Sequence, residues 1–122
     1  MKNQAYRMAL LYDFYGDMLT ERQKEFYDLY YNEDLSLAEI AENYGITRQG
    51  VRDVIVRAEG ILTELEDKTG IIRRFHKMQA QFQEIEAAVD GIYRRNEEKH
   101  QDDELELLCE RIRSVLSQLK QE

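Results

Sequence analysis

Apolar side chains recur at three- and four-residue steps along almost the whole chain, and no proline interrupts them in 122 residues. That spacing is the period of an α-helix, and it does not match the two-residue alternation of a half-buried strand. Proline breaks helix interiors more strongly than any other residue, so its absence leaves only glycines and polar linkers to end a helix. The expected fold class is therefore all-α. A chain of this length is the size of one domain and buries roughly two-thirds of the surface it exposes when unfolded.

Capping chemistry places the breaks. Residues 4–15 carry Ala5, Met8, Leu11, Tyr12 and Tyr15 on one face, and Gly16 and Asp17 end that helix. Thr20 followed three residues later by Gln23 is a capping box, with Leu19 before it as a hydrophobic staple. The second helix then runs to about Tyr31 with Phe26, Leu29 and Tyr30 inward, and Asn32, Glu33 and Asp34 form a polar connection. Ser36 and Glu39 make a second capping box and open a two-turn helix through Tyr44 that buries Leu37, Ile40 and Ala41. Gly45 supplies a turn at positive φ. Ile46 turns inward and Thr47 caps a fourth helix, whose stripe is Val51, Val54, Ile55, Ala58, Leu62 and Leu65. Two helices joined by a short glycine-containing turn form a helix-turn-helix candidate.

After Gly70 the stripe narrows. Ile71, Phe75, Met78, Phe82, Ile85, Val89 and Ile92 follow at alternating steps of four and three, as do Leu105, Leu108, Ile112, Val115 and Leu119. This is the heptad rhythm of a coiled-coil seam. The ten polar residues 94–103 between the two runs are expected to be a solvated connection or a fraying end. The division expected is a helix-turn-helix domain over residues 1–70 and a helical hairpin or coiled-coil tail over 71–122. The seam is too narrow to satisfy its apolar area within one chain, so pairing with a second copy as a homodimer is expected.

Several function classes fall away. The lone cysteine, Cys109, cannot form an intramolecular disulfide, and no apolar run approaches the roughly 20 residues of a membrane span. The first residues lack a signal-peptide cleavage site, so a soluble, cytoplasmic protein is expected. His76, His100 and Cys109 lack metal-ligand spacing, so no metal and no cofactor is expected. The acidic pairs Glu97-Glu98 and Asp102-Asp103 lie in the polar stretch, where nothing would raise a carboxyl pKa. Neither a Walker motif, a GxGxxG nor a nucleophile elbow is present, and the chain does not read as an enzyme. Seven of eight tyrosines precede residue 45. Tyr12, Tyr15, Tyr27, Tyr30 and Tyr44 fall near core spacing, while Tyr31 is expected to be exposed. Base stacking by these rings is the weaker alternative.

The fourth helix is the candidate reading element. A wheel at 100° per residue puts Val51, Ile55, Ala58 and Leu62 inward and Gln49, Arg52, Asp53 and Val56 outward, with Arg48 and Arg57 flanking. Arginine bonds guanine O6 and N7, and glutamine bonds adenine N6 and N7, when a helix enters the major groove by its first turns. The free N–H groups after Thr47 suit a phosphate. Asp53 would take a cytosine amino group or pair with Arg57, four residues on. The plain alternative is a solvated helix face. Against nucleic-acid binding stands the net charge of −8, since nucleic-acid binders are usually basic and neutralise phosphates.

The segments Leu19-Thr20-Glu21-Arg22-Gln23, Leu35-Ser36-Leu37-Ala38-Glu39-Ile40-Ala41 and Gly45-Ile46-Thr47-Arg48-Gln49-Gly50-Val51-Arg52 resemble the helix-turn-helix of sigma factor region 4 and of LuxR-like regulators. The run from Thr47 to Glu59, with its acidic helix and heptad tail, is similar to the YlxM family of bacterial helix-turn-helix proteins. The resemblance implies a sigma region 4-like fold of the winged-helix-like superfamily without a wing. It also implies Thr47, Arg48, Gln49 and Arg52 as DNA-facing residues, with Arg57 toward the backbone. That family is typically encoded beside signal recognition particle genes, which implies a DNA-binding regulator in that pathway. The alternative is an interaction module that contacts a signal recognition particle protein or its RNA, favoured by the acidic charge and outward Val56.

Overall fold

Both capping boxes close as hydrogen bonds, and they fix where the helices begin. Thr20 Oγ1 accepts the Gln23 N–H at 3.2 Å while Gln23 Oε1 accepts the Thr20 N–H at 3.0 Å. Ser36 and Glu39 make the same reciprocal pair at 3.1 Å each way. The computed structural model describes residues 4–121. They form six α-helices and, among the described residues, no strand: α1 (Ala5–Tyr15), α2 (Glu21–Tyr31), α3 (Leu37–Tyr44), α4 (Arg48–Thr69), α5 (Ile71–Arg95) and α6 (Asp103–Gln121). A 3₁₀ turn, Gly16–Met18, follows α1, and a π turn, Asn96–His100, follows α5. The all-α helix-turn-helix fold read from spacing is the fold observed. The chain divides into two compact units, with the boundary after Ile72.

The first unit gathers α1, α2, α3 and α4 around one core. Phe26, Tyr27, Ile40, Val51, Ile55, Ala58 and Leu62 are fully buried there, with Leu11 beside them. The α3–α4 turn is made by Gly45 at φ +67°, a left-handed conformation that costs glycine no Cβ clash. Ile46 N–H then bonds the Ala41 carbonyl at 3.1 Å, which fixes the angle at which α4 leaves. Gly70, at φ +62°, ends α4. The Glu66 carboxylate ties this joint to α1, accepting the Tyr15 hydroxyl at 2.6 Å and the Ile72 N–H at 2.9 Å.

Tyr31 departs from the expected exposed position. Its ring lies 4.8 Å from that of Tyr27 and 5.0 Å from that of Tyr30, and its hydroxyl donates to Glu59 of α4 at 2.8 Å. The physical reason is length: a phenol reaches a carboxylate on the facing helix that a shorter side chain at this position would not. The most exposed tyrosine is Tyr6, at 82%.

In the second unit α5 and α6 form an antiparallel hairpin that buries Val89, Cys109 and Leu116. Only part of the heptad seam closes within it. The linking stretch is neither wholly solvated nor fraying, because Asn96 is 4% exposed and its amide group spans the turn. Asn96 Nδ2 donates to the Asp102 carbonyl at 2.8 Å, and its Oδ1 accepts the Asp102 N–H at 2.9 Å. Asp102 in turn caps α6, accepting the Glu104 N–H at 2.9 Å.

Candidate nucleic-acid interface

The amino-terminal half of α4 is positioned by a cap and a core. Thr47 Oγ1 accepts the Gly50 N–H at 2.9 Å, and a Cβ at Gly50 would lie only 3.2 Å from that oxygen. The glycine therefore leaves room for the capping hydroxyl, at a cost of up to about 1 kcal/mol in helix propensity. Behind this turn Val51, Ile55, Ala58 and Leu62 are wholly buried, so the opposite face has no choice but to point outward.

That face holds every residue picked out from the sequence. Thr47, Arg48, Gln49, Arg52, Asp53 and Arg57 are exposed, and Val56 is 40% exposed among them. Arg48 and Arg52, four residues apart, share one flank, and Arg57 lies on the other. The three guanidinium groups make no hydrogen bond or ion pair among the described residues. Asp53 does not pair with Arg57; its Oδ1 accepts Gln49 Nε2 at 2.8 Å. The amide one turn earlier on the same face reaches the carboxylate and leaves Arg57 unengaged.

The charge reverses along the helix. Residues 47–58 carry net +2, whereas residues 59–69 carry net −3. In the second half the outward Glu64 pairs with Lys68 at 2.9 Å, which holds the Glu64 carboxyl below its usual pKa and the lysine above its own. Only the first three turns therefore suit an anion.

The sequence carries a further signal of this site in the charges at its helix starts. Helix dipoles favour acidic residues in the first turn, and α2 and α3 have them in Glu21 and Glu39. The first turn of α4 has none and opens instead on Arg48. That arrangement costs helix stability and leaves the positive end of α4 unneutralised beside two free arginines. On the preceding helix Glu42 is exposed, while Glu39 is held by its capping box.

Comparison with known proteins gives this geometry its context. The family model UPF0122, described as a helix-turn-helix protein, YlxM / p13 like, matches residues 2–105. A UPF0122 protein of Desulforamulus reducens is 48% identical over 86 residues, covering 70% of this chain and 74% of its own length. One from Thermoanaerobacter sp. strain X514 is 38% identical over 112 residues, 92% of each chain. One from Bacillus thuringiensis is 36% identical over 115 residues, 94% of this chain and 99% of its own.

Proposed function

The chain belongs to the UPF0122 family of YlxM / p13-like helix-turn-helix proteins, and from that membership we propose that it binds double-stranded DNA through the first turns of α4. The observation that carries the reading is the pair of unengaged arginines, Arg48 and Arg52, at a helix start that lacks any acidic residue. Thr47 presents the helix N-terminus to a phosphate, Arg48 and Arg52 reach bases or backbone, Gln49 reads adenine once it leaves Asp53, and Arg57 meets the backbone. The protein acts in the cytoplasm as a regulator and not as an enzyme. It works as a homodimer, which sets two recognition helices about 34 Å apart on one side of a duplex. Its regulatory role is in the signal recognition particle pathway, a reading supported by the resemblance to the YlxM family.

Fluorescence anisotropy with DNA from the protein's own operon, at low salt, tests this. Arg48→Ala combined with Arg52→Ala should lower affinity at least tenfold, since each phosphate or base contact is worth on the order of 1 kcal/mol or more. Unchanged binding by the double variant would sink the reading. A second reading is favoured by Val56, apolar and 40% exposed at the centre of the same face, and by the net −8. In it the face docks on a protein or RNA of the signal recognition particle. Capture of such a component by wild type, lost in Val56→Asp, with no DNA binding at low salt, would favour it.

A further inference from the structure

We propose that one side of the α5–α6 hairpin is the seat of a second copy of this chain, whose own hairpin docks there face to face and closes a four-helix bundle. The proposal rests on the paired reading given above and assigns the surface that does the pairing.

The hairpin has two unlike sides. On one, Asp90 holds Arg113 at 2.6 Å, Glu86 holds Lys120, and the Arg113 guanidinium lies 4.6 Å from the centre of the Tyr93 ring. That side is satisfied by its own ion pairs. On the other, Ile85 and Ile92 of α5 and Leu108, Ile112, Val115 and Leu119 of α6 stand 40–54% exposed. Ile85, Leu108, Ile112 and Val115 of this set line an open groove of about 570 Å³ whose one charged lining residue among the described residues is Arg111. A monomeric protein scatters such residues singly; a contiguous stripe of them marks an interface.

Three considerations select a second copy as the occupant. The first is area. At these exposures the six side chains leave on the order of 500 Å² of apolar surface per copy, which matches the roughly 65% apolar share of the about 800 Å² that each partner in a stable pair buries. The second is spacing. Leu108, Ile112, Val115 and Leu119 follow at steps of four, three and four, and knobs at that period need holes at the same period, which an identical hairpin presents. The third is charge. The groove lining holds no acidic side chain, so a basic helix gains no ion pair within it, whereas a two-fold contact sets the apolar stripe against itself with the exposed Arg111 side chain beside it.

Sedimentation equilibrium of the full chain at micromolar concentrations is the test, with circular dichroism on each variant. Wild type should sediment at twice the chain mass, and so should Ser117→Lys on the ion-paired side. Val115→Glu and Ile112→Glu should each sediment at the chain mass with helical content unchanged. Val115 is over half exposed, so its variant decides the matter if Ile112→Glu loses helix. A wild type at the chain mass, or glutamate variants that keep the doubled mass, would overturn the proposal. Arg48→Ala with Arg52→Ala should keep the doubled mass, so a failure of DNA binding is read separately from a failure of pairing.

Discussion

At the scale of single residues, the hydroxyls of the first unit's tyrosines hold helices together. Tyr27 donates to the Met8 carbonyl at 2.6 Å, Tyr15 to Glu66 and Tyr31 to Glu59, each across a helix boundary. Burial pushes all three phenols above their usual pKa, and the carboxylate partners of Tyr15 and Tyr31 add to it. Their folded values lie above the unfolded value of about 10, so the stability they contribute is intact below that pH and is lost as pH climbs through the folded values. Urea midpoints taken on either side of pH 10 should therefore fall steeply in wild type and less steeply in Tyr31→Phe. At neutral pH Tyr31→Phe should lose about 1–2 kcal/mol, the worth of a hydrogen bond to a charged group whose partner stays part-buried. The inward positions on α4 were legible from the 100° step alone. The burial of Tyr31 was not, because helical phase says which way a side chain leaves the backbone and nothing about a partner 28 residues away. The Gln49–Asp53 pair escaped for a related reason: Asp53 has candidate partners one turn before and one turn after, and spacing does not choose between them.

At the scale of the helix, glycines divide by what their backbone does. Gly60 sits inside α4, exposed, with open space where a Cβ would be. Gly60→Ala should stabilise the protein by about 0.5–1 kcal/mol, read as a higher melting temperature. Gly45→Ala also meets open space, yet it should destabilise by about 1 kcal/mol because an L side chain is strained at φ +67°. The pair of measurements separates conformational cost from steric cost. In the hairpin, Asn96→Ala should cost about 2 kcal/mol, since it removes two part-buried hydrogen bonds to the Asp102 backbone. Helix starts were legible in the first unit, where Thr20, Ser36 and Thr47 cap them, but not at α6, whose capping Asp102 is one acidic residue among many in the polar stretch. The π turn was not, because polar composition reports solvent preference, and the one buried amide among ten polar residues has no signature of its own.

At the scale of the whole molecule, the charge of −8 and the proposed DNA contact are reconciled by distribution. The positive end of one helix protrudes from an acidic protein, so the field favourable to phosphate is short-ranged. Three arginines per copy predict that log affinity falls with log salt at a slope of about −2.7 for one α4 and about −5 for a pair engaging one duplex. A titration of anisotropy against salt distinguishes these slopes, and a slope near zero would rule out α4 as a phosphate-binding element. The heptads announced an apolar seam in the sequence, but one repeat written on two helices does not say how much of it closes within the chain. The chain also sorts its chromophores. It has no tryptophan, and seven of its eight tyrosines precede residue 45, leaving Tyr93 beneath Arg113 as the single aromatic phenol of the hairpin. Near-ultraviolet dichroism and intrinsic fluorescence will thus report almost wholly on the helix-turn-helix unit. A hairpin that opened or changed partner would be nearly invisible to them, and would be followed by backbone signals or by a label placed there on purpose.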